Sequence, residues 1–198
     1  MTRQPDLERK PALIEQILDY LLDKPLSSLS FRTLAKALEV STFTLVYHFG
    51  TRAELVSDIV SAISMRAEDV EDELMQSPTT IDSYLLGQIK SWEWSVQPRN
   101  IRLQCLEFEA ALLEAHDREA HEFTRTLYTR WYEMGCEALV DLGLSQEEAT
   151  VEARLAVDTF FGLQYDLVVN EDVERATAAF HRSIEVRRER LERLLAHA

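Results

Sequence analysis

The sequence predicts an all-α protein: an N-terminal three-helix head joined to a larger helical body, about nine helices in total. Three observations carry this. Gly and Pro number only 5 each in 198 residues, so long segments run without a breaker. Apolar residues recur at i, i+3 and i+4, and strand-like alternation is scarce. The breaks between periodic segments are short, which predicts a compact array without long linkers. No internal repeat or low-complexity tract interrupts it.

The first helix is expected from about Lys10 to Asp23. Pro11 suits its first turn, where a missing N–H costs nothing. Ile14, Ile17, Leu18 and Leu21 make its apolar face, and Pro25 disfavours helical backbone at Lys24. "SFRTLAKAL" reads as the second helix, with Ser30 as N-cap and Phe31, Leu34, Ala35 and Leu38 on one face. "EVS" breaks the period. Ser41 or Thr42 caps a third helix, in which Leu45 and Phe49 face inward. Gly50 ends it, and Thr51 caps a fourth with Leu55, Ile59, Ala62 and Ile63 as its stripe.

After "QSPTT" comes a fifth helix with Ile81, Tyr84, Leu85, Ile89 and Trp92 on one face. "QPRN" separates it from a sixth, about 101–115, striped by Cys105, Phe108 and Leu112. A seventh spans about 117–142, with Phe123, Leu127, Trp131, Met134 and Ala138 aligned. "LGLS" leads to an eighth, to about Val169, and "NED" opens the last, to about Leu195. The eighth is apolar nearly all round, which demands burial on every side.

Hydrophobic residues make up 46% and charged residues 28%, ordinary values for a chain that can bury a core. No apolar run approaches the roughly eighteen residues of a membrane span. The start, "MTRQPDLERK", lacks the apolar centre of a signal peptide, so the expected compartment is the cytoplasm. Cys105 and Cys136 form no metal-type pair and are expected as free thiols. The net charge of −14 is uneven: residues 1–52 hold seven basic and six acidic side chains, the remainder fourteen and twenty-nine. An acidic protein is a poor general binder of nucleic acid. A near-neutral head on an acidic body can still bind DNA through the head alone.

"STFTLVYHF", residues 41–49, crowds hydroxyls, a tyrosine, a histidine and two phenylalanines into little more than two helical turns. Two short helices joined by a tight turn suggest a helix-turn-helix, whose second helix offers its N-terminal residues to base edges in the major groove. That end is Ser41, Thr42, Phe43 and Thr44. Hydroxyls bond bases or phosphates, and a ring packs on a thymine methyl. Tyr47 and His48 follow one turn later, within reach of phosphates. Ser30 and Arg32 open the preceding helix, and Arg52 opens the fourth, where the helix N-terminus attracts phosphate. Phe43 has a second reading, packing on the second helix, and His48 another, as a packing histidine.

At these residues a resemblance is plain. "LSFRTLAKALEVSTFTLVYHFGTRAELV" resembles the DNA-binding head of the TetR family of transcriptional regulators. Beyond Leu55 only length and helix order agree. Three positions depart from the family's pattern. Glu39 stands where Gly is common, Val46 where Tyr is common, and Pro25 in a loop that commonly carries Gly. The first two put turn geometry and one phosphate contact in question.

The resemblance implies a DNA-binding domain at 1–52 and a ligand-binding and dimerisation domain at 53–198. It implies a double-stranded DNA operator, a small-molecule effector and a homodimer built mainly by the last two helices. Candidates for the effector site are Trp92, Cys105, Phe108, Trp131, Phe161, Gln164 and Tyr165. The two polar ones interrupt the apolar stretch of the eighth helix. Candidates for the dimer interface are Leu163, Leu167, Phe180 and Ile184. Largely apolar pockets take hydrophobic or aromatic ligands.

No catalytic constellation, metal set or cofactor motif stands out. His116 and His121 are five residues apart, which puts them on different sides of one helix. The expected function is a ligand-released repressor. The alternatives are a dimerising regulator or adaptor without a small-molecule sensor, and a helical enzyme.

Overall fold

In the computed structural model the backbone is described for residues 9–72, 80–116 and 123–196, and side chains for these apart from 65–72. The helices are α1 (Arg9–Leu21), α2 (Phe31–Ala37), α3 (Thr42–Phe49), α4 (Arg52–Asp72), α5 (Ile81–Ser95), α6 (Pro98–His116), α7 (Phe123–Asp141), α8 (Gln146–Asn170) and α9 (Val173–Leu195). A 3-10 turn, Leu26–Ser28, lies between α1 and α2. The described residues contain no strand.

The helix ends are written in the local sequence. Ser30 caps α2, accepting from Thr33 N at 3.1 Å, and Ser41 caps α3, accepting from Thr44 N at 3.0 Å. Of the two candidate caps for the third helix, Ser41 is therefore the one used. Thr51 and Glu54 form a reciprocal box at α4, with Thr51 N donating to Glu54 Oε2 at 2.6 Å and Glu54 N to Thr51 Oγ1 at 3.2 Å. Ser145 with Glu148 does the same for α8, and Asp172 caps α9. Pro98 is the first residue of α6, three positions before the expected start, since proline belongs at a first helical position.

The chain divides into two compact units. The first comprises Met1–Met65 and Cys105–Thr124, the second Arg66–Gln104 and Arg125–Ala198. The first unit thus reaches past the boundary expected at residue 52. Its buried core explains why: it draws on Leu13, Ile17, Leu18 and Leu21 of α1, Leu34 of α2, Leu45 and Phe49 of α3, Leu55, Ile59 and Ile63 of α4, and Leu106 and Ala110 of α6. On α6 the buried face is not the expected stripe. Leu112 is 66% exposed, and Cys105 and Phe108 are half-buried.

The second unit is centred on aromatic packing. Trp92 is 1% exposed and stacks on Phe180, with ring centroids 4.7 Å apart and an interplanar angle of 8°. Phe160 meets both rings edge-on. Trp92 Nε1 donates to Thr177 Oγ1 at 3.1 Å, so the indole's one polar group is satisfied. Buried Glu152 takes Arg190 Nε at 2.6 Å, and burial pushes the neighbouring Tyr84 hydroxyl up to about 12.

Candidate nucleic-acid interface

The head presents its third helix by burying only one side of it. Leu45 is 0% and Phe49 2% exposed, at the i, i+4 spacing of one inward face. On the outward side Phe43 is 79%, Tyr47 66% and Val46 46% exposed. Ser41 and Thr42 are exposed and Thr44 and His48 half-buried. Phe43 therefore does not pack on α2. The His48 ring meets Tyr47 edge-on at 5.1 Å, which braces the pair at the helix's second turn.

The turn between α2 and α3 sets this presentation. Glu39 has φ +54°, the left-handed region, and Val40 N donates back to Ala35 O at 3.0 Å. This is a Schellman-type stop, in which a side-chain-bearing residue occupies the position that glycine fills at least cost. Gly50, with φ +64°, ends α3.

Ser30 and Ser41 spend their hydroxyls on caps, and Ser41 Oγ also lies 2.8 Å from Thr44 Oγ1. Arg32 is exposed on α2. One turn later on the same face is Lys36, also exposed, which the sequence reading passed over. Its i+4 spacing from Arg32 was the available signal.

Arg52 needs correction. It was expected as a free phosphate contact at the start of α4. Instead its Nε donates to Leu29 O and its Nη2 to Leu26 O, both at 3.2 Å. Leu26 opens the 3-10 turn and Leu29 follows it, and Leu26 O also accepts from Leu29 N at 3.0 Å, so Arg52 ties the two ends of the turn together. Leu26 N is held in turn by Glu109 Oε2 of α6 at 2.7 Å. Arg52 clamps the head. Lys10 is likewise engaged, pairing with Asp58 at 2.8 Å.

The effector candidates divide between the two units. Trp92 belongs to the core of the second unit. Tyr165 is 59% exposed on α8. Gln164 is buried and donates to Ser95 Oγ at 3.0 Å, so its partner lies inside the fold. Trp131 is half-buried, and Phe161 is half-buried against Tyr128, with centroids 4.9 Å apart. Cys105 and Phe108 belong to the first unit. His116 is exposed at the end of α6, and His121 lies outside the described residues.

The dimer candidates also need correction. Leu167 is 0%, Phe180 1% and Ile184 6% exposed, all in the core of their own chain, and Leu163 packs against that core. The side of α8 opposite to these residues carries Val151 (49% exposed), Leu155 (50%), Tyr165 and Val169 (57%), with exposed Gly162 among them. This stripe runs nearly the whole helix. Within it, Asp158 is held by the Tyr128 hydroxyl and by Arg154 Nε at 2.9 Å, which lowers its pKa. Asp166 takes Arg175 at 3.0 Å.

An N-terminal helix-turn-helix with a larger helical unit defines a class of all-α fold. Solved structures narrow it. A transcriptional regulator from Rhodococcus sp. Rha1 superposes with a TM-score of 0.75 at 17% identity, covering 96% of this chain and 97% of its own. A TetR transcriptional regulator from Legionella pneumophila gives 0.71 at 14%, covering 93% and 98%. A TetR variant from Acinetobacter baumannii AYE, solved in complex with minocycline, gives 0.62 at 17%, covering 94% and 97%. The chain has a TetR-like fold, from end to end. No family model matches the sequence, and no curated protein does.

Proposed function

We propose that the chain is a homodimeric, cytoplasmic transcriptional repressor that binds double-stranded DNA through α3 and is released by a small hydrophobic or aromatic molecule. One observation carries the DNA-binding part. α3 buries Leu45 and Phe49 and leaves Thr42, Phe43 and Tyr47 outward, beyond anything its packing requires. Hydroxyls and a ring at the N-terminal end of such a helix suit base edges and thymine methyls, and Tyr47 one turn on suits a phosphate. Arg32 and Lys36 of α2 add charge for the backbone.

The exposed stripe on α8 supports the dimer. Monomers rarely leave so long an apolar face in water, and a self-complementary stripe suits a two-fold interface. The two copies of α3 then meet half-sites about 34 Å apart or a multiple of it. The effector part rests on the fold it shares with a minocycline-bound regulator. Effector binding and DNA binding are reciprocally antagonistic in this reading, since each favours a different dimer geometry.

Selection of bound sequences from a random double-stranded pool tests the proposal. A palindromic site is the expected product, and Phe43→Ala should weaken its binding by about tenfold. A pool that enriches no sequence overturns the reading.

A further inference from the structure

Four buried polar residues of the second unit form a chain with one open end. Ser95 of α5 is 1% exposed, and its hydroxyl donates to Ser91 O at 2.8 Å. From α8, Gln164 Nε2 donates to Ser95 Oγ at 3.0 Å. From α6, Gln104 Nε2 donates to Ser95 O at 3.2 Å. The other end of the Gln104 amide is unanswered. The residue is 2% exposed, and its Oε1 is the one buried side-chain N or O atom without a hydrogen-bond partner among the described residues.

Turning the amide over does not help. It would set Oε1 against the Ser95 carbonyl, acceptor against acceptor. Ser95 cannot supply the donor either, because its single hydroxyl proton already goes to Ser91 O. Buried polar atoms are nearly always satisfied, by protein, water or a bound molecule, and an orphan asks which of these meets it. The groups in this chain, Ser91, Ser95, Gln104 and Gln164, are all neutral. An ammonium brought to Gln104 would be a buried charge that none of these four groups counters. A carboxylate or ether oxygen would meet the orphan as acceptor against acceptor. Apolar side chains flank the chain on two of its helices, with Trp92 one turn before Ser95 and Phe160 and Phe161 one turn before Gln164, while on α6 Asn100 lies one turn before Gln104 and Glu107 one turn after it.

The geometry points to Gln104 as the residue that reads the effector's polar end, its Oε1 accepting one hydrogen bond from a neutral hydroxyl or N–H on an otherwise apolar molecule. This rests on the reading of the chain as a ligand-responsive regulator and names the chemical class of its ligand.

Matched pairs that differ in that one donor test it on the full chain by calorimetry. The pairs are indole with 1-methylindole, 2-naphthol with 2-methoxynaphthalene, and 1-octanol with 1-methoxyheptane. A site built to hydrogen-bond a donor rejects the analogue lacking it. At least one donor-bearing member should bind about tenfold or more tightly than its partner. In Gln104→Met, or in Gln104→Leu should that variant fold better, the preference should shrink to about twofold or less while the donor-free member binds as before. Equal binding within every pair, a preference that survives in the variants, or no binding by any compound overturns the assignment. The effector reading fails differently. A compound that binds with the expected preference yet leaves operator affinity unchanged sinks that reading and leaves Gln104 standing.

Discussion

Glu39, Val46 and Glu107 each carry a local conflict that a single substitution can measure. Glu39 holds φ +54°, which costs a residue with a Cβ about 1 kcal/mol relative to glycine. Glu39→Gly should raise the melting temperature by a few degrees and tighten DNA binding modestly, by removing a negative charge near phosphates. A lower melting temperature would mean that the turn draws its stability from the side chain. Val46 is 46% exposed, so a tyrosine there need not overpack the head. Val46→Tyr should strengthen binding by about 1 kcal/mol, equally on cognate and mutated sites and with the salt dependence unchanged, because a neutral hydroxyl releases no counterion. Affinities at two salt concentrations, with a melting curve, check it. Burial pushes the Glu107 carboxyl from its ordinary 4.5 up to about 7. Between those values the folded chain keeps a proton that the unfolded chain has lost, so this group's contribution to stability falls as pH rises from 4.5 to 7 and then levels off. Glu107→Gln should therefore stabilise the protein by about 1–3 kcal/mol above that window and by little below it. Parallel melting temperatures of the two proteins across the window would remove Glu107 from the account.

At the scale of elements, the 3-10 turn and α8 decide most. The turn is held on both sides, by Arg52 at the Leu26 and Leu29 carbonyls and by Glu109 at Leu26 N. Arg52→Ala should lower stability by about 1–3 kcal/mol, since two buried-side carbonyls lose a charged donor. It should leave the salt slope of DNA binding unchanged, whereas Arg32→Ala and Lys36→Ala should each reduce the slope by about 1. A slope that falls in Arg52→Ala without loss of stability restores Arg52 to the phosphate contacts. α8 has two apolar faces. One, with Ala149, Ala153, Ala156 and Leu167, is buried in its own unit, and the other, with Val151, Leu155 and Val169, is open. An apolar circumference says that both faces need cover but not which is covered from within.

For the whole molecule the open face becomes a question of assembly. Leu155→Glu introduces a charge that an interface must desolvate without a partner. Sedimentation should show monomers that remain helical, and binding to a palindromic site should fall further than binding to a half-site. A soluble dimer in that variant would move the interface elsewhere. Charge acts at the same scale. The chain carries −14 overall while residues 1–52 are near neutral, so DNA is attracted only locally and non-specific affinity should be weak and strongly reduced by salt.

Among the described residues helix number, most caps and the helix-turn-helix were legible in the sequence, because they depend on neighbours within a few residues: a hydroxyl before a periodic run, a glycine at a stop, leucines one turn apart; the strain at Glu39 was signalled only by the resemblance, which commonly has Gly there. The outward set on α3 followed from the same periodicity, once Leu45 and Phe49 were taken as inward. Packing between elements was not legible. Arg52 looked free because its acceptors, Leu26 and Leu29, lie more than twenty residues back in the chain. Trp92, Phe180 and Ile184 had the composition of a ligand wall or an interface, and only the Trp92–Phe180 stack and the burial of Ile184 in the same cluster placed them in a core. Gln164 was chosen for its polarity within an apolar helix, yet Ser95 satisfies it, and the unsatisfied amide is Gln104. Sequence determines which groups must find partners, since that is a property of the residue. Which partner each one finds depends on elements distant in the chain, and only the tertiary structure decides it.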